Sequence, residues 1–180
     1  ILMKKKVIII NYGSGNLFSI RMALEKVGAE AIITKDEKEI LKASHVILPG
    51  VGAFSDAMQN IKSKNFDELI KLVVKKGNYL LGICLGMQLL LSESEEFGHT
   101  NGLNIIPGKV ISLKKIFKKN SDIKVPNIGW HNIKKKKSKI NNKLNNFIKV
   151  DNCFYFIHSF TCRTNSEDNE IYNFFYLDKK

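Results

Sequence analysis

Residues 82–88 read GICLGMQ and follow directly on the apolar run Tyr79-Leu80-Leu81. Cys84 therefore stands between Gly82 and Gly86 where a strand pattern gives way to a helix pattern. A cysteine in G-x-C-x-G is the thiol counterpart of the G-x-S-x-G elbow, in which flanking glycines let the backbone bend sharply and lift a nucleophile clear of the sheet. Free amides at the start of the following helix favour a thiolate. The N–H of Leu85 is then placed to help hold an oxyanion. Free cysteines ordinarily fill small gaps in apolar cores. Two glycines within two residues contribute nothing to such packing, and they favour the nucleophile.

A second glycine pair lies in LPGVGAF, residues 48–54. At the end of an apolar strand, Gly50-Val51-Gly52 permits backbone amides to turn toward a ligand. A plain strand-to-helix loop would need only Pro49-Gly50. In a parallel sheet, though, this loop and Cys84 open on the same edge, which makes it a candidate oxyanion loop. NYGSGNL, residues 11–17, has the first two glycines of a dinucleotide fingerprint, but Phe18 stands at the third glycine position. Cofactor binding there is rejected, and a polar turn on the same sheet edge remains. A thiolate nucleophile ordinarily works with a histidine oriented by a carboxylate. Of His45, His99, His131 and His158, only His158 in FYFIHSF sits among site-like residues, and a structural role on a half-buried strand suits it equally.

The elements that must position these groups alternate along the first half. Strand patterns cover Lys6–Ile10, Ala31–Thr34, Val46–Leu48 and Tyr79–Ile83. Helix patterns cover Phe18–Val27 (ended by Gly28), Asp36–Ala43, Asn65–Lys76 and Leu85–Glu93. Such alternation predicts a parallel sheet covered on both faces, with ligands at the carboxyl ends of the strands. In the second half, strands are expected at Lys109–Leu113, within VPNIGWHNI, at Phe154–Cys162 and at Ile171–Leu177. Helical periodicity is scarce there, so antiparallel strands are expected beside the parallel sheet. The Lys/Asn-rich stretch 134–146 reads as a solvated turn region.

With 180 residues, 44% of them apolar, the chain fits one domain with a core of its own. The net charge of +12 comes almost wholly from lysine, with Arg21 and Arg163 the only arginines. The excess gathers in KKIFKK (114–119) and KKKKSK (134–139). No nucleic-acid module or arginine–aromatic platform accompanies it, so a solvated face, or one that steers an anionic substrate or acidic partner, is the reading. Cys84, Cys153 and Cys162 form no CxxC or metal-type spacing. No metal, no cofactor, no membrane and a cytoplasmic location are expected.

VIIINYGSGNL, VILPGVGAFSDAM, LLGICLGMQLLLSESEE, GLNIIPGKV, KVPNIGW and FYFIHSF follow one another in order from Val7 to Phe160. Together they resemble the glutaminase subunit of imidazole glycerol phosphate synthase, within the class I, triad-type glutamine amidotransferases. The resemblance implies a three-layer, flavodoxin-like α/β fold with a mostly parallel sheet and added antiparallel strands. It implies hydrolysis of glutamine by Cys84, with ammonia passed to a (β/α)8-barrel cyclase partner. That partner would form imidazole glycerol phosphate and an aminoimidazole carboxamide ribotide for histidine biosynthesis. By the same resemblance, amides from Gly50, Val51, Gly52 and Leu85 hold the oxyanion, Gln88 helps hold the substrate, and Ser159 and Phe160 grip glutamine through their backbone. Trp130 resembles the aromatic gate toward the partner, and Asn16 an interface residue.

The chain departs from the family pattern at three places. Asn11 replaces the usual aspartate and Phe160 the usual tyrosine. Nothing like the late H-P-E motif, which carries the family's base histidine and its glutamate, follows Leu177. The expectation is an incomplete triad, low turnover for these 180 residues, and a sheet edge left open where that segment would pair. Two alternatives follow from the departures. One is a paralogous ammonia donor for sugar amidation in surface polysaccharide synthesis; the other is a catalytically silent binding subunit.

Overall fold

β-Branched runs build the centre of the molecule. The computed structural model describes residues 5–117, 124–135, 153–166 and 172–174. β1 (Lys6–Ile10), β2 (Glu30–Thr34), β3 (His45–Leu48) and β4 (Tyr79–Gly82) form a parallel sheet in the order β2-β1-β3-β4. Successive side chains of β1 go to opposite faces, as strand geometry requires. Ile8 and Ile10 join the larger core; Val7 and Ile9 join a second cluster with Ile47. Ile8, Ile9 and Ile10 are fully buried, each worth roughly 1.5–3 kcal/mol.

Helices cover both faces. α1 (Leu17–Lys26) lays Leu17, Ile20 and Leu24 on the smaller cluster. On the other face lie α2 (Glu37–Lys42), α3 (Phe54–Ser63), α4 (Phe66–Lys75) and α5 (Leu85–Leu89). α3 buries Phe54, Ala57, Met58 and Ile61, spaced i, i+3, i+4, i+7. The sequence patterns above name no element for residues 55–63. Among the described residues no helix is long and apolar enough to cross a membrane.

A second sheet runs in the order β10-β7-β5-β6, from β5 (Leu91–Ser94), β6 (Thr100–Asn101), β7 (Ile106–Ser112) and β10 (Phe160–Thr164). Its β10–β7 and β5–β6 pairs are antiparallel, and β5–β7 is parallel. A third, antiparallel ladder joins β8 (Asn127–Lys135) to β9 (Cys153–His158) and β11 (Tyr172–Phe174). α6 (Leu113–Ile116) follows β7.

Three boundaries correct the sequence expectations. The helix expected over Leu85–Glu93 stops at Leu89, and Leu91–Ser94 is strand. The cause is long-range: the carbonyls of Leu89, Leu90 and Leu91 accept hydrogen bonds from the amides of Leu103–Ile106. The single strand expected over Phe154–Cys162 is two, broken at Ser159, whose carbonyl accepts from Leu113 N–H at 2.9 Å. That bond also makes Leu113 the first residue of α6 rather than the last of a strand. Of the stretches 134–146 and Ile171–Leu177, residues 136–146, 171 and 175–177 lie outside the described residues.

Candidate functional site

Because β1, β3 and β4 run the same way, their carboxyl-end loops open on one edge. These are residues 11–16, residues 49–53 and the turn at Ile83-Cys84. The last pairing of β3 with β4 is Leu48 with Gly82, and Ile83 N–H still reaches Leu48 O at 3.0 Å. The chain then turns sharply at Cys84, with φ 54° and ψ −117°. A non-glycine residue in this region costs on the order of 1–3 kcal/mol and persists only when its surroundings over-determine it. Cys84 is exposed and not packed into the core.

The surroundings that impose this turn are glycines without room for a side chain. A Cβ at Gly82 would lie 2.6 Å from Met87 Cα; one at Gly86 would lie 2.0 Å from Leu48 O. One at Gly50 would lie 2.6 Å from Gly86 N and 2.9 Å from Leu85 Cβ. The Pro49-Gly50 backbone therefore rests directly on the first turn of α5. In that turn Gly86 N–H returns to Ile83 O, and the amides of Met87 and Gln88 return to Cys84 O. No group among the described residues accepts from Leu85 N–H. These are parts from which an oxyanion site can be built: an exposed thiol at a bend, an amide with no acceptor among the described residues beside it, and a second loop in contact.

The residue 11–16 turn buttresses that second loop. Buried Tyr12 donates its hydroxyl to Pro49 O at 2.9 Å, and burial raises the phenol's pKa, which keeps it a donor. Ser14 Oγ donates to Val51 O at 2.9 Å, and Val51 N–H is directed back at Ser14 Oγ at 3.5 Å. Lys64 Nζ holds Tyr12 O at 2.7 Å. Asn16 is exposed and caps α1, accepting from Ser19 N–H at 3.2 Å. Glu96 caps α3 from the far side, its Oε2 accepting from Phe54 N–H at 2.7 Å. Ala53, at the N-cap position itself, has no side chain for that task.

Gln88 is half-buried on α5, one turn beyond Cys84. Ser159 and Phe160 lie at the β9–β10 break, and the Phe160 ring packs against the same apolar cluster as Leu85 and Leu89. Trp130 is 68% exposed on β8 and meets Tyr155 edge-on at 5.5 Å. Their strands pair Trp130 with Tyr155 and Ile128 with Ile157, which places all four side chains on one exposed face.

None of the four histidines bonds to Cys84 among the described contacts. His45 Nδ1 contacts Ser44 Oγ and its ring stacks on Tyr79. His99 pairs with Glu93 at 2.9 Å, but this pair is exposed and Glu93 is shared with Lys109. Lys109 and His99 together hold the Glu93 carboxyl below the usual carboxylate range. His131 and His158 both bond to Asn127.

Sequence reasoning missed Tyr12, Ser14, Glu96 and Asn127. The SESEE acidic run and the polar NYGSGN turn were the available signals for the first three; a buried asparagine leaves none.

The family model for class I glutamine amidotransferases matches residues 8–176. The subunit of imidazole glycerol phosphate synthase called HisH in Geobacter metallireducens is 43% identical over 164 residues, covering 89% of this chain and 76% of that protein. Its counterpart in Chlorobium chlorochromatii is 46% identical over 160 residues, again 89% and 76%. Among solved structures, PurLQS from Thermotoga maritima superposes with a TM-score of 0.65 at 16% identity, covering 96% of this chain and 75% of that one.

Proposed function

The chain belongs to the class I glutamine amidotransferase family, and on that premise we propose that Cys84 is the nucleophile of a glutaminase serving histidine biosynthesis. The chain is the glutamine amidotransferase subunit of an imidazole glycerol phosphate synthase. The observation that carries the assignment of Cys84 is its exposed, left-handed turn, clamped between glycines at the start of a helix on which the Pro49-Gly50 backbone rests.

In the proposed reaction the Cys84 thiolate attacks the side-chain carboxamide carbon of glutamine. The carbonyl oxygen becomes an oxyanion, held by Leu85 N–H and an amide of the Gly50-Val51-Gly52 loop. Collapse breaks the C–N bond; nitrogen leaves as ammonia after taking up a proton, and a thioester remains. Water then hydrolyses the thioester to glutamate and restores the thiol. Val51 N–H points at Ser14 Oγ, so Val51 serves the oxyanion only by giving up that contact; the Gly50 and Gly52 amides complete the candidate set. Gln88 and the Ser159–Phe160 backbone are assigned to glutamine binding. The described histidines are engaged elsewhere, and the base is assigned to none of them.

A synthase subunit has a partner, and we assign it as a (β/α)8-barrel cyclase. The exposed Ile128, Trp130, Tyr155 and Ile157 face, with Asn16 at its own sheet edge, supports a docking surface. Formation of imidazole glycerol phosphate and the carboxamide ribotide then takes place on the partner, in the cytoplasm. The relatives' names favour this client over sugar amidation. A strained, exposed Cys84 also argues against a silent scaffold, which gains nothing from holding it.

The test is covalent trapping with 6-diazo-5-oxo-L-norleucine, an electrophilic glutamine analogue. Saturable labelling confined to Cys84, blocked by glutamine, is the expected result. Labelling that falls on Cys153 or Cys162 instead, or that glutamine does not block, refutes the assignment.

A further inference from the structure

β8 and β9 form a ribbon with two unlike faces. The outer face carries the apolar pairs described above. The inner face carries Asn127, His131, Phe156 and His158, with Gly129 between the first two. Asn127 is 1% exposed and one of two buried polar side chains among the described residues. A buried amide must find partners for both ends, and here both partners are imidazoles. Asn127 and His158 are directly opposed in the ladder, with Asn127 Nδ2 and His158 Nε2 3.0 Å apart. Asn127 Oδ1 lies 3.0 Å from His131 Nε2. His158 Nδ1 lies 2.8 Å from Phe160 O.

The carbonyl settles every proton along this chain. Phe160 O only accepts, so His158 Nδ1 carries a hydrogen. In the neutral ring Nε2 is then an acceptor and takes a hydrogen from Asn127 Nδ2. Asn127 Oδ1 must therefore accept, and His131 Nε2 donates to it. Burial, reinforced by His131, holds His158 below the ordinary histidine range against the pull of the Phe160 carbonyl, in keeping with a neutral ring. Gly129 leaves His131 room beside the strand: a Cβ there would meet His131 Nε2 only at ordinary contact distance, 3.5 Å. Phe156 flanks both imidazoles, at 5.7 Å and 6.0 Å between ring centroids.

The far end of the chain is the break between β9 and β10. Ser159 O is fixed by Leu113 N–H and Phe160 O by His158. Two consecutive carbonyls are thus held from two different elements, which leaves the intervening peptide one orientation.

We propose that Asn127 and His158 are positioning residues for glutamine binding: the Asn127 amide holds the His158 ring, whose tautomer the Phe160 carbonyl sets, and His158 orients the Ser159–Phe160 backbone toward the substrate's α-carboxylate and amine. This rests on the assignment of that backbone to glutamine in the preceding section. Neither side chain touches the reacting atoms, so the expected signature is a loss of affinity with the chemical rate kept.

The experiment measures labelling of Cys84 by 6-diazo-5-oxo-L-norleucine across analogue concentrations, in the 180-residue chain and three variants. Asn127→Leu removes the amide at similar volume. His158→Gln places its amide nitrogen near the Nε2 position and loses the bond to Phe160. His158→Asn keeps an N–H near the Nδ1 position. Asn127→Leu and His158→Gln are expected to raise the half-saturating concentration about tenfold, with limiting rates within about twofold of the parent. His158→Asn is expected to keep the parent value, which a loss of folding would not mimic. Imidazole nitrogen–proton correlation spectra of the parent should show the Nδ1–H tautomer at His158. Unchanged half-saturation in both disrupting variants, or an Nε2–H tautomer in the parent, overturns the positioning role while the nucleophile assignment stands. Absence of saturable labelling in the parent overturns the nucleophile assignment first, and the positioning role with it.

Discussion

Gly86→Ala places a methyl group where the structure has backbone. Its Cβ would fall 2.0 Å from Leu48 O, 2.8 Å from Leu48 C and 2.9 Å from Pro49 O. Ordinary carbon contacts begin near ~3.5 Å, so the start of α5 and the β3 end must part by roughly 1 Å even when both give way. No flexible side chain is available to absorb the change, because each of these neighbours is main chain. Overpacking of this kind costs about 1–3 kcal/mol, a fall in Tm of about 2–12 °C for a chain of this length. The functional effect is larger. A displacement of about 1 Å between a nucleophile and its supporting groups costs roughly 100-fold in rate, and here Cys84 moves relative to the Pro49–Gly52 amides. Gly28→Ala is the control: its φ of +84° makes alanine unfavourable by about 1–2 kcal/mol, but nothing lies within 4 Å of the new Cβ and the site is untouched. Calorimetry and the rate of Cys84 labelling should separate the two, with both variants destabilised and only Gly86→Ala slowed about 100-fold. A Gly86→Ala protein that melts with the parent and labels within about twofold of it would refute the contact between loop and elbow.

Cys84→Gly should abolish glutamine hydrolysis and yet raise stability by about 1–3 kcal/mol, because glycine adopts the turn without strain; denaturant unfolding reads this directly. His158 binds its proton more weakly in the folded state than in the unfolded chain. The unfolded state therefore carries the extra proton below the ordinary value of about 6.5. The contribution of neutral His158 is fully present above that range and is lost as pH falls through it. Urea unfolding at pH 7.5 and pH 5.5 should show a smaller drop for His158→Asn than for the parent; equal drops would count against it. Trp130→Ala should leave stability within about 0.5 kcal/mol while weakening binding of the partner subunit by about 2 kcal/mol, some thirtyfold in Kd, as titration calorimetry would show.

The parallel sheet was legible because Val7–Ile10 and Val46–Leu48 are β-branched or apolar without interruption, as strands covered on both faces must be. The G-x-C-x-G pattern stood out in the sequence because two glycines around a cysteine bring no side chain to a core, and here both sit where backbone approaches too closely for one. Leu89-Leu90-Leu91 defeated the local reading, because a short apolar run suits helix and strand alike. The arbiter is the 102–106 segment, where Gly102 approaches so closely that its Cβ would lie 2.2 Å from Leu91 O. α3 carried a clear helical spacing that the neighbouring glycine loop obscured, and its cap comes from Glu96, 42 residues away. Asn127 was invisible for a deeper reason. A buried amide is justified only by its partners: His131 lies four residues along the same strand, and His158 is brought to it by the pairing of β8 with β9.

The uncovered strip of Ile128, Trp130, Tyr155 and Ile157 also bears on how the subunit fares between synthesis and assembly. Side chains of this kind, left bare on a flat ribbon, invite self-association. The net charge of +12 opposes it by mutual repulsion between copies. That protection weakens as ionic strength rises and screening shortens its reach. A chain made ahead of its partner is thus kept dispersed mainly by its lysines, and balanced production of the two subunits is the more durable safeguard against clumping.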